Sequence, residues 1–286
     1  MGTTDDGRWV IRSGAPAGDP FALSVTPDRA GWAYSGLRIL RLPPGGTAGF
    51  DTGDEEMLLV PLSGAVDVRV DDLEFALAGR RTVFTGHTDR AYLPIGASVQ
   101  VASTDGGRFA LASSRAEKHY PATYLPADRI ASALRGAGAV SRQVVDLANA
   151  ELCPADRLIV CEVYTPAGGT SSAPPHKHDH AGPNETELEE VYYFELSGES
   201  ADGATHATTA SDDRPIDVHT TVRSGDVALV PYGWHGPTTA PADADLYYLN
   251  VMAGPVRSWQ VTFHPTAGPR PDPDAPVDPR LPLVRP

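Results

Sequence analysis

The sequence predicts an all-β fold of two β-sandwich or jelly-roll barrels joined by a short helical connection, and three observations predict it. Apolar segments are short throughout and are bounded by Gly, Pro, Asp or Asn: GLRILRLPPGG, EMLLVPLSGAVDVRV, SVQVAS and RFALASS, then LIVCEVYTPAGG, EVYYFEL, HTTVRSGDVALVPYG and DLYYLNVMAG. Short strands at regular spacing with turn signals between them are the pattern of a sandwich or barrel. The two halves also echo each other. EEMLLVPLSG at 55–64 parallels EEVYYFELSG at 189–198, and VFTGHTDRAYLPIGASV parallels GDVALVPYGWHGP, as a two-fold repeat requires. Only PADRIASALRGAG, residues 126–138, reads as a helix, with Asp128 as cap, Ile130 and Leu134 four apart, and Gly136 and Gly138 as the stop.

The expected organisation is therefore a first barrel over residues 1–125, a helical linker over 126–150, a second barrel over 151–267, and an extended or disordered tail over 268–286. The tail reads GPRPDPDAPVDPRLPLVRP, too dense in Pro and Asp to pack as a strand or helix.

Composition narrows the function. With 286 residues, 41% of them hydrophobic and 21% charged, the chain can bury a sizeable core. A formal net charge of −14 without any dense Lys/Arg run argues against non-specific nucleic-acid binding, which depends on neutralising phosphates. An anionic small molecule would need local cations instead. The two cysteines, Cys153 and Cys161, read as reduced, buried thiols. MGTTDDGRWV lacks a basic region followed by an apolar stretch, and no run approaches the ~18 apolar residues of a membrane span. A soluble, cytoplasmic protein is expected.

The chemistry concentrates in PPHKHDH, residues 174–180. Side chains alternate across an extended segment, so His176 and His178 share a face while Lys177 points elsewhere, and His180 has the right parity too. Pro174 and Pro175 stiffen the entry. In EVYYFEL, Glu190, Tyr192 and Phe194 share one face, and Glu189, Val191 and Tyr193 the other. GDVALVPYGWHG supplies a strand, a Pro-x-Gly turn and His235, with Asp226 placed to fix the turn before it. His-x-His, a carboxylate on the next strand and a distant His make a mixed N/O set that suits Zn or Mn, and also Fe or Ni, with positions open for substrate. His87, His119, His206, His219 and His264 have no such partner pattern and read as surface or core residues.

This pattern resembles the cupin signature. Within the cupins, ADRLIVCEVYTPAGG, SSAPPHKHD, LEEVYYF, GDVALVPYGWH and DLYYLNVMAGP, with VTPDRAGWAYSGLRILRL and GRRTVF earlier, resemble the 5-deoxy-glucuronate isomerases of inositol catabolism over most of residues 8–260. The resemblance implies a bicupin whose second barrel alone keeps a metal site, and the first half indeed has no His-x-His before Glu55 and Glu56. It implies His176, His178, Glu190 and His235 as ligands, with His180 a neighbour standing where the family usually has an acidic residue.

The activity implied is aldose–ketose isomerisation of 5-deoxy-glucuronate to 5-dehydro-2-deoxy-gluconate through a metal-stabilised enediolate. A base within reach of the C–H is then needed. Glu187, Glu189, Tyr192, Tyr247 and Tyr248 are candidates, with Lys177 as an acid or carboxylate anchor. Arg142, Tyr232 and Asn250 are candidates for binding the sugar acid. A homo-oligomer is compatible with the pattern.

Three stretches depart from the family: GGTSSAPP before the histidines, Tyr232 where Arg is often found, and VRSWQVTFHPTAG from residue 256. Several of these lie near the expected pocket. A cupin oxygenase holding Fe(II), or a non-catalytic metabolite binder, are the competing classes; an oxygenase should consume O2, whereas an isomerase should work anaerobically.

Overall fold

The computed structural model describes residues 6–211, 214–272 and 274–285, so residues 1–5, Asp212, Asp213, Pro273 and Pro286 lie outside the described residues. In the first half, six strands form one sheet in the order Thr123–Leu125, Arg90–Leu93, Glu55–Val70, Gly107–Arg115, Ser35–Leu42, Phe21–Val25. Gly46–Asp51, Ser98–Ser103 and Leu73–Arg80 fold over one face of it, reached through the long, bent Glu55–Val70 strand. Alternation along that strand splits two cores. Met57 and Leu59 point into the barrel with Val68, Val99, Val101 and Phe109, while Leu58 and Val60 point out of it.

The second half is a sandwich of two sheets. One runs Val227–Val230, Glu189–Leu196, Leu246–Ala253, Ile159–Thr165, Arg142–Ala148, Ala131–Arg135; the other runs Arg214–Val222, Ala204–Ser211, Trp234–Thr239, His176–Lys177, Thr262–Phe263. Tyr192, Phe194, Tyr248, Met252 and Val230 fill the space between them. On the outer face of the first sheet, Val191, Tyr193, Leu249 and Val251 meet Leu58, Val60 and Leu37 of the first half, so the two large sheets bury a common core back to back.

Polar contacts cross the same junction. Arg80 pairs with Glu162, both buried, and Tyr164 and Tyr247 each donate a hydroxyl hydrogen bond to Glu162 at 3.0 Å. Arg108 makes a two-pronged contact with Glu195 at 2.7 and 3.0 Å. Both cysteines are free and buried.

The structure differs from the sequence-based expectation at the connection. Ala131–Arg135 is not helical but an exposed edge strand, paired antiparallel with Arg142–Ala148. Ile130 packs partly buried against the core, but Leu134 has no apolar surface to cover and is 43% exposed, so the two do not form one helical stripe. Gly136 and Gly138, both at positive φ (80° and 54°), form the tip of a hairpin that lets the ladder satisfy the backbone instead. A single 3-10 turn, Gly138–Val140, is all the helix there is in this segment. At the other end, Val10–Ile11 adds a strand to the second half's sheet, against Val227 and Ala228, and the Asp226 carboxylate accepts from the Ser13 amide.

The described residues of the tail carry no strand or helix, yet the tail is held against the body. Gln143 brackets Val284 by accepting from its amide at 3.1 Å and donating to its carbonyl at 2.8 Å. The Arg285 carbonyl accepts from the His87 amide in the first half, and Leu281 and Val284 are buried. Among the described residues no helix is long and apolar enough to cross a membrane.

Candidate metal centre

His176 sits on the two-residue strand His176–Lys177, directly opposite His235 on the neighbouring strand Trp234–Thr239. His178 follows two residues later, on the same side. Glu190 reaches in from the opposite sheet, where it begins the inward row Glu190, Tyr192, Phe194. One nitrogen from each of the three imidazoles lies within 4.8 Å of the others. All four side chains are buried, with His235 at 0% exposure.

The tautomers are set by the backbone. His178 Nδ1 donates to the Leu188 carbonyl at 3.1 Å and His235 Nδ1 to the Gly233 carbonyl at 3.2 Å. Both Nε2 atoms are thereby left as lone pairs, and both lie against the same oxygen, Glu190 Oε2, at 3.0 and 3.1 Å. Two lone pairs aimed at an anionic oxygen require a positive charge between them. Burial would lift the Glu190 carboxyl, but positive charge at the facing His178 and His235 nitrogens holds it well below the usual carboxylate range. Burial, then the neighbouring His235 and His178, push His176 well below its ordinary value, so it stays neutral. The Nδ1 of His176 and the Nε2 of His235 are buried and have no hydrogen-bond partner in the protein. Three buried imidazoles, a carboxylate and two unsatisfied nitrogens fit a divalent cation, with backbone carbonyls orienting two of the rings from behind.

The residues between the histidines lock the loop. Lys177 Nζ donates to Asp179 at 2.7 Å and Glu185 at 2.9 Å and lies over the Trp234 ring at 5.6 Å. Asp179 Oδ2 accepts from Ser211 and from the Gly233 amide, tying the His178 loop to the turn that carries His235. Burial opposes ionisation of Asp179, but Lys177, Ser211 and Gly233 hold its carboxyl far below its ordinary value.

A cavity of about 220 Å³ opens beside the cluster, lined by His176, Glu190, Tyr192, Tyr248, Asn250 and Ser172, and further out by Arg142, Arg135 and Trp259. Ser172 Oγ lies 3.4 Å from the Tyr192 hydroxyl and 3.2 Å from that of Tyr248. Ser172 holds φ at 47°, a left-handed conformation uncommon for a residue with a Cβ. Burial pushes the Tyr248 phenol up to about 12 and that of Tyr192 well above its usual value, so both keep their protons. The Asn250 side-chain amide has an unpartnered, buried N–H2.

Of the residues the sequence singles out, His176, His178, Glu190, His235, Tyr192, Tyr248, Asn250 and Arg142 converge here, and five others do not. Glu189 faces away, its carboxylate accepting from the amides of Ala33, Tyr34 and Ser35 at 2.6, 2.7 and 2.9 Å. Burial raises its carboxyl despite those amides, yet both oxygens are committed to the first half. Glu187 is exposed on a separate shallow groove with Pro255 and Gln260. Lys177 is spent in its ion-pair cluster. Tyr247 faces Glu162 at the junction between halves. Tyr232 donates to the Pro215 carbonyl beneath the Arg214 guanidinium, outside the cavity.

His180 is exposed. His206 is core, packed 4.9 Å from the Tyr192 ring, with burial and then His235 lowering its pKa to about 3. The cavity also contains residues the sequence does not flag: Ser172, Arg135, Trp259 and Phe263. All but Arg135 sit in the segments GGTSSAPP and VRSWQVTFHPTAG that depart from the family pattern, and that departure is the signal available for them.

Comparison with known proteins gives a consistent result. The family model described as the KduI/IolB family matches residues 9–268. A 5-deoxy-glucuronate isomerase of Geobacillus thermodenitrificans is 37% identical over 261 residues, covering 90% of this chain and 94% of the relative. That of Bacillus subtilis strain 168 is 34% identical, covering 82% and 87%. The crystal structure of an IolB-like protein from Salmonella typhimurium superimposes with a TM-score of 0.82 at 31% identity, over 90% of this chain and 96% of the other. An oxalate decarboxylase from Lactobacillus farciminis shares the fold, with a TM-score of 0.66 at 13% identity over 92% and 90% of the two chains.

Proposed function

The chain belongs to the KduI/IolB family, and from that premise we propose that it is a cytoplasmic, metal-dependent aldose–ketose isomerase converting 5-deoxy-glucuronate to 5-dehydro-2-deoxy-gluconate in inositol catabolism. The observation that carries this reading is the buried three-histidine cluster with Glu190 at the wall of a cavity lined by protonated phenols. His176, His178, Glu190 and His235 hold the ion, with Zn or Mn suiting the set best. When bound, the ion supplies Lewis-acid polarisation of the substrate's carbonyl and neighbouring hydroxyl oxygens.

The rest falls to the chain's own side chains. Isomerisation takes a proton from carbon 2, delivers one to carbon 1, and moves the hydroxyl proton from one oxygen to the other. Tyr192 and Tyr248, kept protonated by burial, hold their protons at Oη and donate to oxygens that gain charge. Ser172 joins the two phenols into one hydroxyl network. Asn250 offers its free N–H2 to a substrate oxygen.

The test is anaerobic incubation of the metal-loaded protein with 5-deoxy-glucuronate, following ketose formation. Turnover without O2, lost in His178→Ala, is the expected result. No turnover with any divalent metal, or turnover that requires O2, contradicts it.

A further inference from the structure

We propose that Arg135 and Arg142, together with the indole N–H of Trp259, form a carboxylate-binding subsite at the outer end of the cavity, fixing the acid group of the substrate while its carbonyl end faces the histidines. This deepens the isomerase reading and rests on it for the identity of the substrate.

The first observation is the ladder register. Arg135 and Arg142 are directly opposite one another across the hairpin, and both line the cavity. Like charges facing each other across two strands are destabilising unless something lies between them. Among the described residues neither guanidinium makes an ion-pair contact with a carboxylate; Asp146, on the paired strand, interacts with Arg135 only through space. Arg142 is half-buried, and its one hydrogen bond to the protein runs from Nη1 to the Val140 carbonyl at 3.2 Å. Arg135 lies over the Trp259 ring at 5.6 Å, which holds its guanidinium in place without neutralising it.

The second observation concerns the sign of what is missing. The Trp259 Nε1 and Asn250 Nδ2 atoms are buried without partners, and both are donors. With two guanidinium groups, every unmatched polar group of the cavity outside the metal cluster and the hydroxyl network donates. Glu190, the carboxylate among the lining residues, is already committed to the histidines. A cavity of this kind suits a ligand rich in acceptors and negatively charged, and a planar carboxylate can take the guanidinium forks two-pronged. The chain's net charge of −14 makes the local excess of cations the more specific.

The test separates the subsite from the reaction. Binding of D-glucuronate and of D-glucose to the metal-loaded protein is measured by calorimetry, and KM and kcat for 5-deoxy-glucuronate are measured in parallel. Arg135→Gln and Arg142→Gln should each weaken D-glucuronate binding and raise KM by roughly tenfold to a hundredfold, with kcat changing far less. D-glucose binding should be weak and indifferent to both substitutions.

Should the wild-type protein not turn over 5-deoxy-glucuronate, the isomerase reading fails, yet loss of glucuronate binding in the variants still supports the subsite. The proposal is overturned if D-glucose binds the wild type as tightly as D-glucuronate, if D-glucose 6-phosphate binds more tightly than either, or if the variants lower kcat with KM unchanged. Arg142→Gln also loses support for the Val140 carbonyl. Should it fold poorly, Arg135→Gln on the exposed edge strand decides alone, and unchanged glucuronate affinity in that variant overturns the proposal.

Discussion

Each half of the protein carries a Glu-Glu pair at the head of a long strand, and because the pairs are one residue out of phase, one glutamate of each does the same job while the other does not. Sheet face and the following proline fix the equivalence: Leu58 and Val191 both point into the shared core, and the next residue back, Met57 or Glu190, pairs with Leu93 before Pro94 or Val230 before Pro231. Glu56 therefore corresponds to Glu189. Each clasps three consecutive amides of the other half, Asp156, Arg157 and Leu158 in one direction and Ala33, Tyr34 and Ser35 in the other.

The place of Glu190 is held in the first half by Met57, which pairs with Leu93 just before Pro94, as Glu190 pairs with Val230 just before Pro231. Ser98 stands where the second turn puts His235. Glu55, the other acid of the first pair, is bound by Arg38 and Ser113. One barrel is thus filled with hydrocarbon; its counterpart gives up that filling for buried imidazoles that only a cation satisfies.

The largest way to break this contrast is at the ligands. His178→Ala or His235→Ala should lower activity by roughly a thousandfold or more, since several kcal/mol of charge stabilisation goes with the ion. Met57→Leu, at the equivalent first-half site, should leave activity unchanged. Next comes the junction. Glu162→Gln leaves Arg80 buried without its anion and should lower stability to urea by about 3–5 kcal/mol, with metal content retained in the native protein.

Asp179→Asn weakens the tie between the His178 loop and the Gly233 turn, and competition with a chelator should read a metal affinity about 10- to 100-fold lower. Glu56→Gln and Glu189→Gln should cost about 1–3 kcal/mol each and by similar amounts. A stable Glu189→Gln protein that had lost kcat would instead make that carboxylate the catalytic base. Smallest is Tyr232→Phe, which should not move KM, because its hydroxyl faces Pro215 rather than the cavity.

The fold and the clustering of the proposed ligands are legible in the sequence for the same reason: a period of two determines which residues face inward, and His176, His178 and Glu190 obey it. The same rule misleads when a repeat is aligned by letters. Setting Glu55 against Glu189 places every side chain of the pair on opposite faces, and only the faces seen in the folded sheets correct it. Residues 126–138 mislead because a spacing of four between Ile130 and Leu134 resembles a helix, whereas two left-handed glycines decide for a hairpin. With the helix goes Arg135, whose position opposite Arg142 exists only in the strand pairing. Glu189 looks catalytic in the sequence because its partners, residues 33–35, are about 155 positions away. Long-range backbone amides leave no local trace.

Metal content is the most direct test of the claim that one barrel holds the ion and the other does not. Elemental analysis of purified, metal-loaded protein should give one divalent ion per chain, lost in Glu190→Gln and His178→Ala and kept in Glu55→Gln. Two ions per chain, or an ion that survives Glu190→Gln and His178→Ala but leaves with Glu55→Gln, would contradict it.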